Sequence, residues 1–441
     1  MRVSVLGTSE RTTCETCAMD RLGLRRKRLY ECIRRAYNHR STVFIKMKIL
    51  AVLTYYRPHW TGLTAYAVSM AEGLAARGHA VTVLTSQYQP DLPSDENING
   101  VRVIRLRSVA RLSRGVVTPA LPYTVARLIS QHDLVQMHTP LPEAPLVAFL
   151  CRVLNRPVVM THHGDLVMPE GLVNQILERV GFALLYTAAF LANGITSHSR
   201  GYAENSHLLR GFMRKQACIY PPVEVPQPDM ASALAWRQEL GHGDKLLLGF
   251  AGRWVSEKGF DYLIEALPLV RQTFPQAHLV FAGERRVVYE KFYVQCLPLV
   301  EANREHITFL GLIHDRQKMA DFHGMCDLFV LPSRTDMMPS IQIEALLCGT
   351  PVVASDIPGA RDVLRATGFG LLAPPHDPQG LASAMVEALH SREALRPTRA
   401  VVRETFDSEK TLIQYESFME RLVAREKPVV PDERFQPASP T

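Results

Sequence analysis

Leu331-Pro332-Ser333-Arg334-Thr335-Asp336-Met337-Met338-Pro339-Ser340-Ile341-Gln342-Ile343-Glu344-Ala345-Leu346-Leu347-Cys348-Gly349-Thr350-Pro351-Val352-Val353 decides how this chain folds. A strand runs into a loop that carries one carboxylate, Asp336. A helix follows with a second carboxylate, Glu344, two turns in, and Gly349 then leads to the next strand. An acid just before a helix and another inside it can bracket a polyhydroxylated ligand, each accepting hydrogen bonds from hydroxyls. Amides at Met338 and Ser340 are placed to hold phosphate oxygens. The plain alternative is a capping Asp with a solvated helical Glu. Against it, Ile341, Ile343 and Leu346 give Glu344 an unusually apolar setting.

The strand–helix–strand pattern extends in both directions. Strands are predicted at 245–252, 277–283, 306–311, 327–333, 350–355 and 368–372. An earlier series starts with 48–54, a turn containing Gly62, and a helix over 64–77. It continues with strands at 80–86, 133–137, 157–161, 194–197 and 217–220. Between the two series, Pro221 to Pro228 is a linker, because proline removes backbone donors and stops both helix and strand. The fold class is therefore α/β, with two Rossmann-like doubly wound parallel-sheet domains. The divisions are a basic extension at 1–46, domains at 47–225 and 226–405, a C-terminal helix at 406–427 packing back toward the first domain, and a loose tail at 428–441.

Charge supports that division. The 441 residues carry a net charge of +7, and residues 1–46 alone hold eleven Lys and Arg against four acids. The rest is neutral, split into +5 for 47–225 and −5 for 226–441, which argues against a nucleic-acid binder. Met47 directly precedes a strand, so the extension also fits a mis-assigned start. Its Cys14-x-x-Cys17, Cys32 and His39 match no standard zinc spacing. The least polar stretch, Val180 to Ala192, is shorter than the ~20 residues that span a bilayer. The opening residues lack a secretory signal pattern, and the eight cysteines are scattered as in a reducing compartment. A cytoplasmic protein is expected.

Neither series has Gly-x-Gly-x-x-Gly after its first strand, which excludes a standard dinucleotide site. The first strand leads into Tyr55 to Thr64, where Gly62 opens a helix and can present amides to phosphate. A plain turn is the alternative. After the second domain's first strand, Arg253 and Lys258 share one loop. A fork of donors plus a point charge suits a diphosphate, whereas a solvated basic pair is the bland reading.

With Thr161-His162-His163-Gly164-Asp165, Arg253 with Lys258-Gly259, and the acid–seven–acid motif continuing to Asp356, the chain from Met47 to about Val423 resembles a family 4 retaining glycosyltransferase. The resemblance implies the GT-B fold, with two domains facing each other across a cleft. It also implies that Gly62 approaches a donor diphosphate neutralised by Arg253 and Lys258. Asp336 then contacts the transferred sugar, Glu344 the ribose, and His163 lies by the reacting sugar. The chain departs from the family pattern in having Asp336 for the usual Glu, Met337-Met338-Pro339 for Gly-Phe-Gly, and Thr61-Gly62 for Gly-Gly.

The resemblance further implies hexosyl transfer from a UDP- or GDP-sugar to a hydroxyl of a glycan or lipid-linked acceptor, in cell-surface polysaccharide or glycolipid synthesis. Catalysis is expected of His163, Asp336, Arg253 and Lys258. Donor binding is expected of Gly62, Arg253, Lys258, Met337, Met338, Ser340 and Glu344. No metal or other cofactor is expected, since two fixed cations face the donor and no Asp-x-Asp motif is present. Epimerisation, sugar-phosphate synthesis and a degenerate scaffold are the alternatives. Arg102, Arg105, Arg107, Arg111 and Arg114 fit peripheral contact with an anionic membrane on its inner face, or are simply the polar side of a strand.

Overall fold

The structure, a computed structural model, describes residues 45–112, 115–166, 171–285, 287 and 290–425. The zinc-like residues of the extension, the tail from 428 and Arg114 lie outside the described residues. In the first domain, strands β1 (Lys48–Val52), β2 (Ala80–Gln87), β3 (Asp95–Ile98) and β4 (Val101–Arg107) precede a hairpin of β5 (Ala110–Leu112) and β6 (Gly115–Val117). Strands β7 (Leu134–Thr139), β8 (Val158–His162), β9 (Gly194–Ser197) and β10 (Gln216–Cys218) complete an eight-stranded sheet. Its order is β10-β9-β8-β7-β1-β2-β4-β3, parallel except where β3 meets β4. The second sheet holds β11 (Leu246–Ala251), β12 (Ala277–Ala282), β13 (Ile307–Gly311), β14 (Leu328–Leu331), β15 (Val352–Ser355) and β16 (Gly370–Ala373). Its order, β13-β12-β11-β14-β15-β16, is parallel throughout.

Both orders reverse beside the first strand, between β1 and β7 and between β11 and β14. Chain connections there leave on opposite faces, and the loops at the carboxyl ends part to leave a crevice. Helices cover both faces, so β7 and β11 are buried along their whole length, β11 as a continuous apolar run and β7 with Gln136, His138 and Thr139 buried among its apolar residues.

The first domain's helices are α1 (Gly62–Ala76), α2 (Leu121–Gln131), α3 (Ala144–Val153), α4 (Leu172–Leu191) and α5 (Arg200–Asn205). In the second they are α6 (Met230–Glu239), α7 (Phe260–Thr273), α8 (Phe292–Ala302), α9 (Arg316–Met325), α10 (Ser340–Leu347), α11 (Pro358–Thr367), α12 (Pro378–His390) and α13 (Arg399–Thr405). Last comes α14 (Ser408–Val423).

The C-terminal helix, expected over 406–427, runs from Ser408 to Val423, and a break separates it from α13. Phe406 leaves the helical region, and the Asp407 side chain accepts from the amides of Glu409 and Lys410 to start α14 afresh. Phe406 belongs to the second domain's core, while Leu412, Tyr415, Phe418, Met419 and Leu422 pack into the first. The break is where the chain crosses back.

Two members of the arginine row have partners within the sheet. Arg105 is 3 % exposed; its guanidinium pairs with Glu96 and donates to the carbonyls of Pro93 at 3.0 Å and Arg57 at 2.9 Å. Arg102 pairs with Asp95 across the antiparallel β3–β4 pair. Both cations are paired within the sheet, whereas Arg107 stays exposed.

Candidate active site

The two loops at the second switch point are fastened to each other. Arg334, after β14, donates through its backbone amide to the Glu257 carbonyl at 2.8 Å and through its guanidinium to the Ser256 carbonyl at 2.6 Å. The same guanidinium forks onto Asp261, at 2.9 Å through one nitrogen, and lies 4.1 Å over the Tyr262 ring. Gly259 makes this approach possible: its φ is +62°, and a Cβ there would stand 1.9 Å from the Pro332 carbonyl oxygen. Arg334 was not among the residues singled out from sequence, because nothing local marks an arginine as a clamp onto residues 73 and 78 positions away.

These ties place Lys258 beside Asp336, with Nζ 2.6 Å from the carboxylate. Ser333 Oγ lies at 3.5 Å from the same oxygen. Burial pulls the Lys258 ammonium toward neutrality, but Asp336 and Glu257 outweigh it, and the net shift is upward. Arg253 is close enough for its charge to bear on Lys258, and is itself 3.4 Å from Glu257. The predicted cation pair and first acid thus form one cluster.

Just beyond, α10 begins at Ser340 after Pro339, and no side chain caps its first amides. Glu344 sits four residues on, one turn into the helix rather than the two expected; it is half-buried, and burial pushes its carboxyl up to about 7, with Arg316 countering only part of the effect. Met338 packs in the second domain's core. Met337 differs from expectation: its side chain joins the first domain's core, so only its backbone is left to face a donor.

On the first domain's side, Gly62 is the first residue of α1, with nothing within 4 Å of where a Cβ would stand. Thr61 caps the helix through a reciprocal bond pair with Thr64, leaving the Gly62 surroundings open. His162 and His163 point in different directions, as adjacent strand residues must. His162 is fully buried and bonds Asp165 at 3.1 Å. Asp165 also accepts from the Ser206 hydroxyl at 2.8 Å and the His207 amide at 3.0 Å, while its own amide donates to the Tyr202 hydroxyl at 2.7 Å. This cage holds the loop that carries His163.

His163 itself belongs to a cluster absent from the sequence reading. Its Nε2 lies 3.0 Å from His138 Nδ1, and its ring meets Tyr66 edge-on at 4.7 Å and His198 at 5.1 Å. Burial pushes His138 and His198 down to about 3 and His163 well below its ordinary value, so all three rings are neutral at pH 7. Tyr66 also bonds the Tyr415 hydroxyl, delivered by α14. A signal was present: His138, His163 and His198 each stand at or just past the carboxyl end of three neighbouring strands, β7, β8 and β9.

The two sides meet. Tyr202 shares a core cluster with Met337, and its hydroxyl is pushed up by burial, then by Asp165 and Asp336. Asp362 of α11 bonds the Ser199 hydroxyl and the Gly201 amide at the start of α5. The cluster of Lys258 and Asp336 therefore lies across a cleft from the loop of His163.

Residues 233–404 match the family described as glycosyl transferases group 1, and residues 60–226 match glycosyltransferase family 4. Among curated proteins, the chain is 28% identical over 342 residues to a phosphatidyl-myo-inositol mannosyltransferase of Mycobacterium leprae, covering 75% of this chain and 84% of that protein. It is 24% identical over 381 residues to a GDP-mannose-dependent alpha-(1-6)-phosphatidylinositol monomannoside mannosyltransferase of Mycobacterium tuberculosis, covering 81% and 93%. Among solved structures, sucrose-phosphate synthase from Thermosynechococcus elongatus superposes with a TM-score of 0.69 at 20% identity, covering 86% of this chain and 100% of that one. HepE of Anabaena, in complex with UDP-glucose, superposes with a TM-score of 0.67 at 20% identity, with the same coverage.

Proposed function

The chain belongs to the family 4 glycosyltransferases of the GT-B fold, and from this premise we propose that it moves a hexosyl group from a UDP- or GDP-sugar to a hydroxyl of a glycan or lipid-linked acceptor, with retention at the anomeric carbon. The observation that carries the reading is the Lys258–Asp336 pair with Arg253 alongside, set at the switch point of the second sheet. Two relatives are named as mannosyltransferases of phosphatidylinositol lipids, which supports a lipid-linked acceptor.

In this reading donor entry exchanges partners: Lys258 leaves Asp336 for the diphosphate, and Asp336 turns to the hydroxyls of the sugar. The bond from the anomeric carbon to the diphosphate oxygen breaks, and the acceptor oxygen bonds that carbon from the same face. The acceptor proton passes to the departing phosphate. Arg253, Lys258 and the uncapped amides of α10 stabilise the charge that develops there, so that no divalent metal is needed. Neutral His163 orients a hydroxyl near the reacting carbon without adding a third cation. A panel of UDP-, GDP- and ADP-sugars tests the donor: a matching sugar raises the melting temperature by mass action, and NMR of the product reports its anomeric configuration. Inverted product, or no shift with any donor, refutes the proposal.

The position of Glu344 adds a pH dependence. Its carboxyl is held up to about 7, and the ionised form is the one that accepts hydrogen bonds from ribose hydroxyls. Donor affinity should therefore level off above pH 7 and fall by up to about tenfold per pH unit below it. Calorimetry across that range checks this, and Glu344→Gln should flatten the profile. An identical inflection in the variant assigns it elsewhere.

A further inference from the structure

Helix α4 is apolar on two opposite sides, and only one of them is covered. Leu185, Ala188 and Ala189 are buried against the first sheet, whereas Leu172 is 80 % exposed, Ile176 60 % and Phe190 65 %, with Val180 exposed in the same row. These four fall on the side of the helix away from the core. The neighbouring α3 adds Phe149 and Val153, exposed one turn apart. Soluble surfaces rarely leave so continuous an apolar row uncovered. Nor can α4 cross a bilayer, since its other side is built into the domain and no helix among the described residues is long and apolar enough to span one.

Cations ring this row. Arg152 of α3 is exposed and reaches the Leu191 carbonyl at the end of α4. Arg179 lies on α4 itself, and Arg210 and Arg214 are exposed on the segment whose Phe212 ring packs on Tyr186 at 5.0 Å. Lys215 caps the end of α4, donating to the Phe190 and Ala192 carbonyls at 3.0 Å. Apolar side chains surrounded by Arg and Lys match an anionic lipid surface, in which the rings and alkyl groups enter the acyl boundary and the cations meet phosphates.

We propose that the exposed face of α4 and α3 is the surface on which this protein rests on an anionic membrane. The inference rests on the reading of the acceptor as lipid-linked. Position supports it: α4 follows the loop His163–Leu166, and Leu166 packs where a Cβ on Gly181 of α4 would stand. A membrane under α4 brings a lipid-borne hydroxyl to the mouth of the cleft.

The test is co-sedimentation of the full chain with vesicles of phosphatidylcholine with and without phosphatidylglycerol. Wild type should bind the mixed vesicles, and Ile176→Ser with Phe190→Ser should weaken binding by about tenfold. Melting temperature and donor turnover on a soluble acceptor should hold. Should the pair lower the melting temperature, Leu172→Ser, at the most exposed position, repeats the test. Undiminished binding by the variants assigns the contact to the basic N-terminal extension and overturns the proposal, as does failure of wild type to bind. A wild-type dimer that the variants split, with no vesicle binding, makes the face a contact between copies instead. Binding is read without donor or acceptor, so its failure leaves the transferase reading standing, and loss of donor turnover alone leaves the lipid surface standing.

Discussion

Lys258→Ala is expected to lower kcat by about 10²–10³-fold, the usual loss when one preorganised stabiliser of a developing charge is removed. The size follows from the site. Lys258 is held in place by the Gly259 turn and by the Arg334 clamp, and its ammonium is kept charged by Asp336. It therefore meets the diphosphate from a fixed loop, and only its Asp336 partner is exchanged. The bound donor already carries negative charge, so part of the loss appears in KM. The larger part belongs to kcat, because the charge grows as the glycosidic bond breaks. Arg253→Ala should act in the same direction. The double variant should lose less than the product of the two, because both cations act on one leaving group. Steady-state kinetics with the donor identified by thermal shift give these values. If Lys258→Ala keeps kcat within about threefold and KM unchanged, the loop after β11 is not the diphosphate site.

What could be read from sequence was whatever local patterning encodes. The strands at 277–283 and 350–355 appear within a residue or two of their observed ends, because fully buried parallel strands are continuous apolar runs. Arg253, Lys258, Asp336 and Glu344 could be singled out because they stand on loops and a helix that follow strands, with a solvated basic pair and a capping Asp as the plainer readings. Residues that act through distant partners were not legible. Arg334 is a clamp only because Asp261 and Tyr262 lie opposite it. Arg105 looked like the polar side of a strand, yet the pairing of β4 with β3 turns it onto Glu96 and two carbonyls. Tyr66 and Tyr415 meet across 349 residues. Met337 sat in a donor motif, and only the approach of the two domains showed its side chain serving the first domain's core. The apolar face of α4 had an ordinary helical composition, and only burial distinguished its covered side from its open one.

The return of α14 to the first domain yields the second large effect. Glu416 is fully buried, with Oε1 2.7 Å from Arg77 Nε and 2.9 Å from His79 Nε2. The Met47 amide donates to His79 Nδ1 at 3.2 Å, so the proton of a neutral His79 ring sits on Nε2 and points at Glu416. One carboxylate therefore ties α14 to the end of α1 and the start of β2. Glu416→Ala leaves the buried side of this arrangement without its acceptor and should cost about 3 kcal/mol of stability, with Glu416→Gln losing less. Burial by itself would push the Glu416 carboxyl up, but the bonds from His79 and Arg77 outweigh it and hold it below its ordinary value. The folded state then binds the proton more weakly than the unfolded chain does. This contribution is fully present above the unfolded pKa of about 4.3 and is lost as pH falls through the lower folded value. Wild type should accordingly lose melting temperature more steeply than Glu416→Gln between about pH 5 and pH 3, the two curves converging at the acid end. Because α14 also carries Tyr415 to Tyr66, beside His163, Glu416→Ala should depress kcat even at temperatures where it remains folded. A stability loss under about 1 kcal/mol with unchanged kcat would mean that Leu412, Phe418 and Leu422 dock the helix without the buried charge.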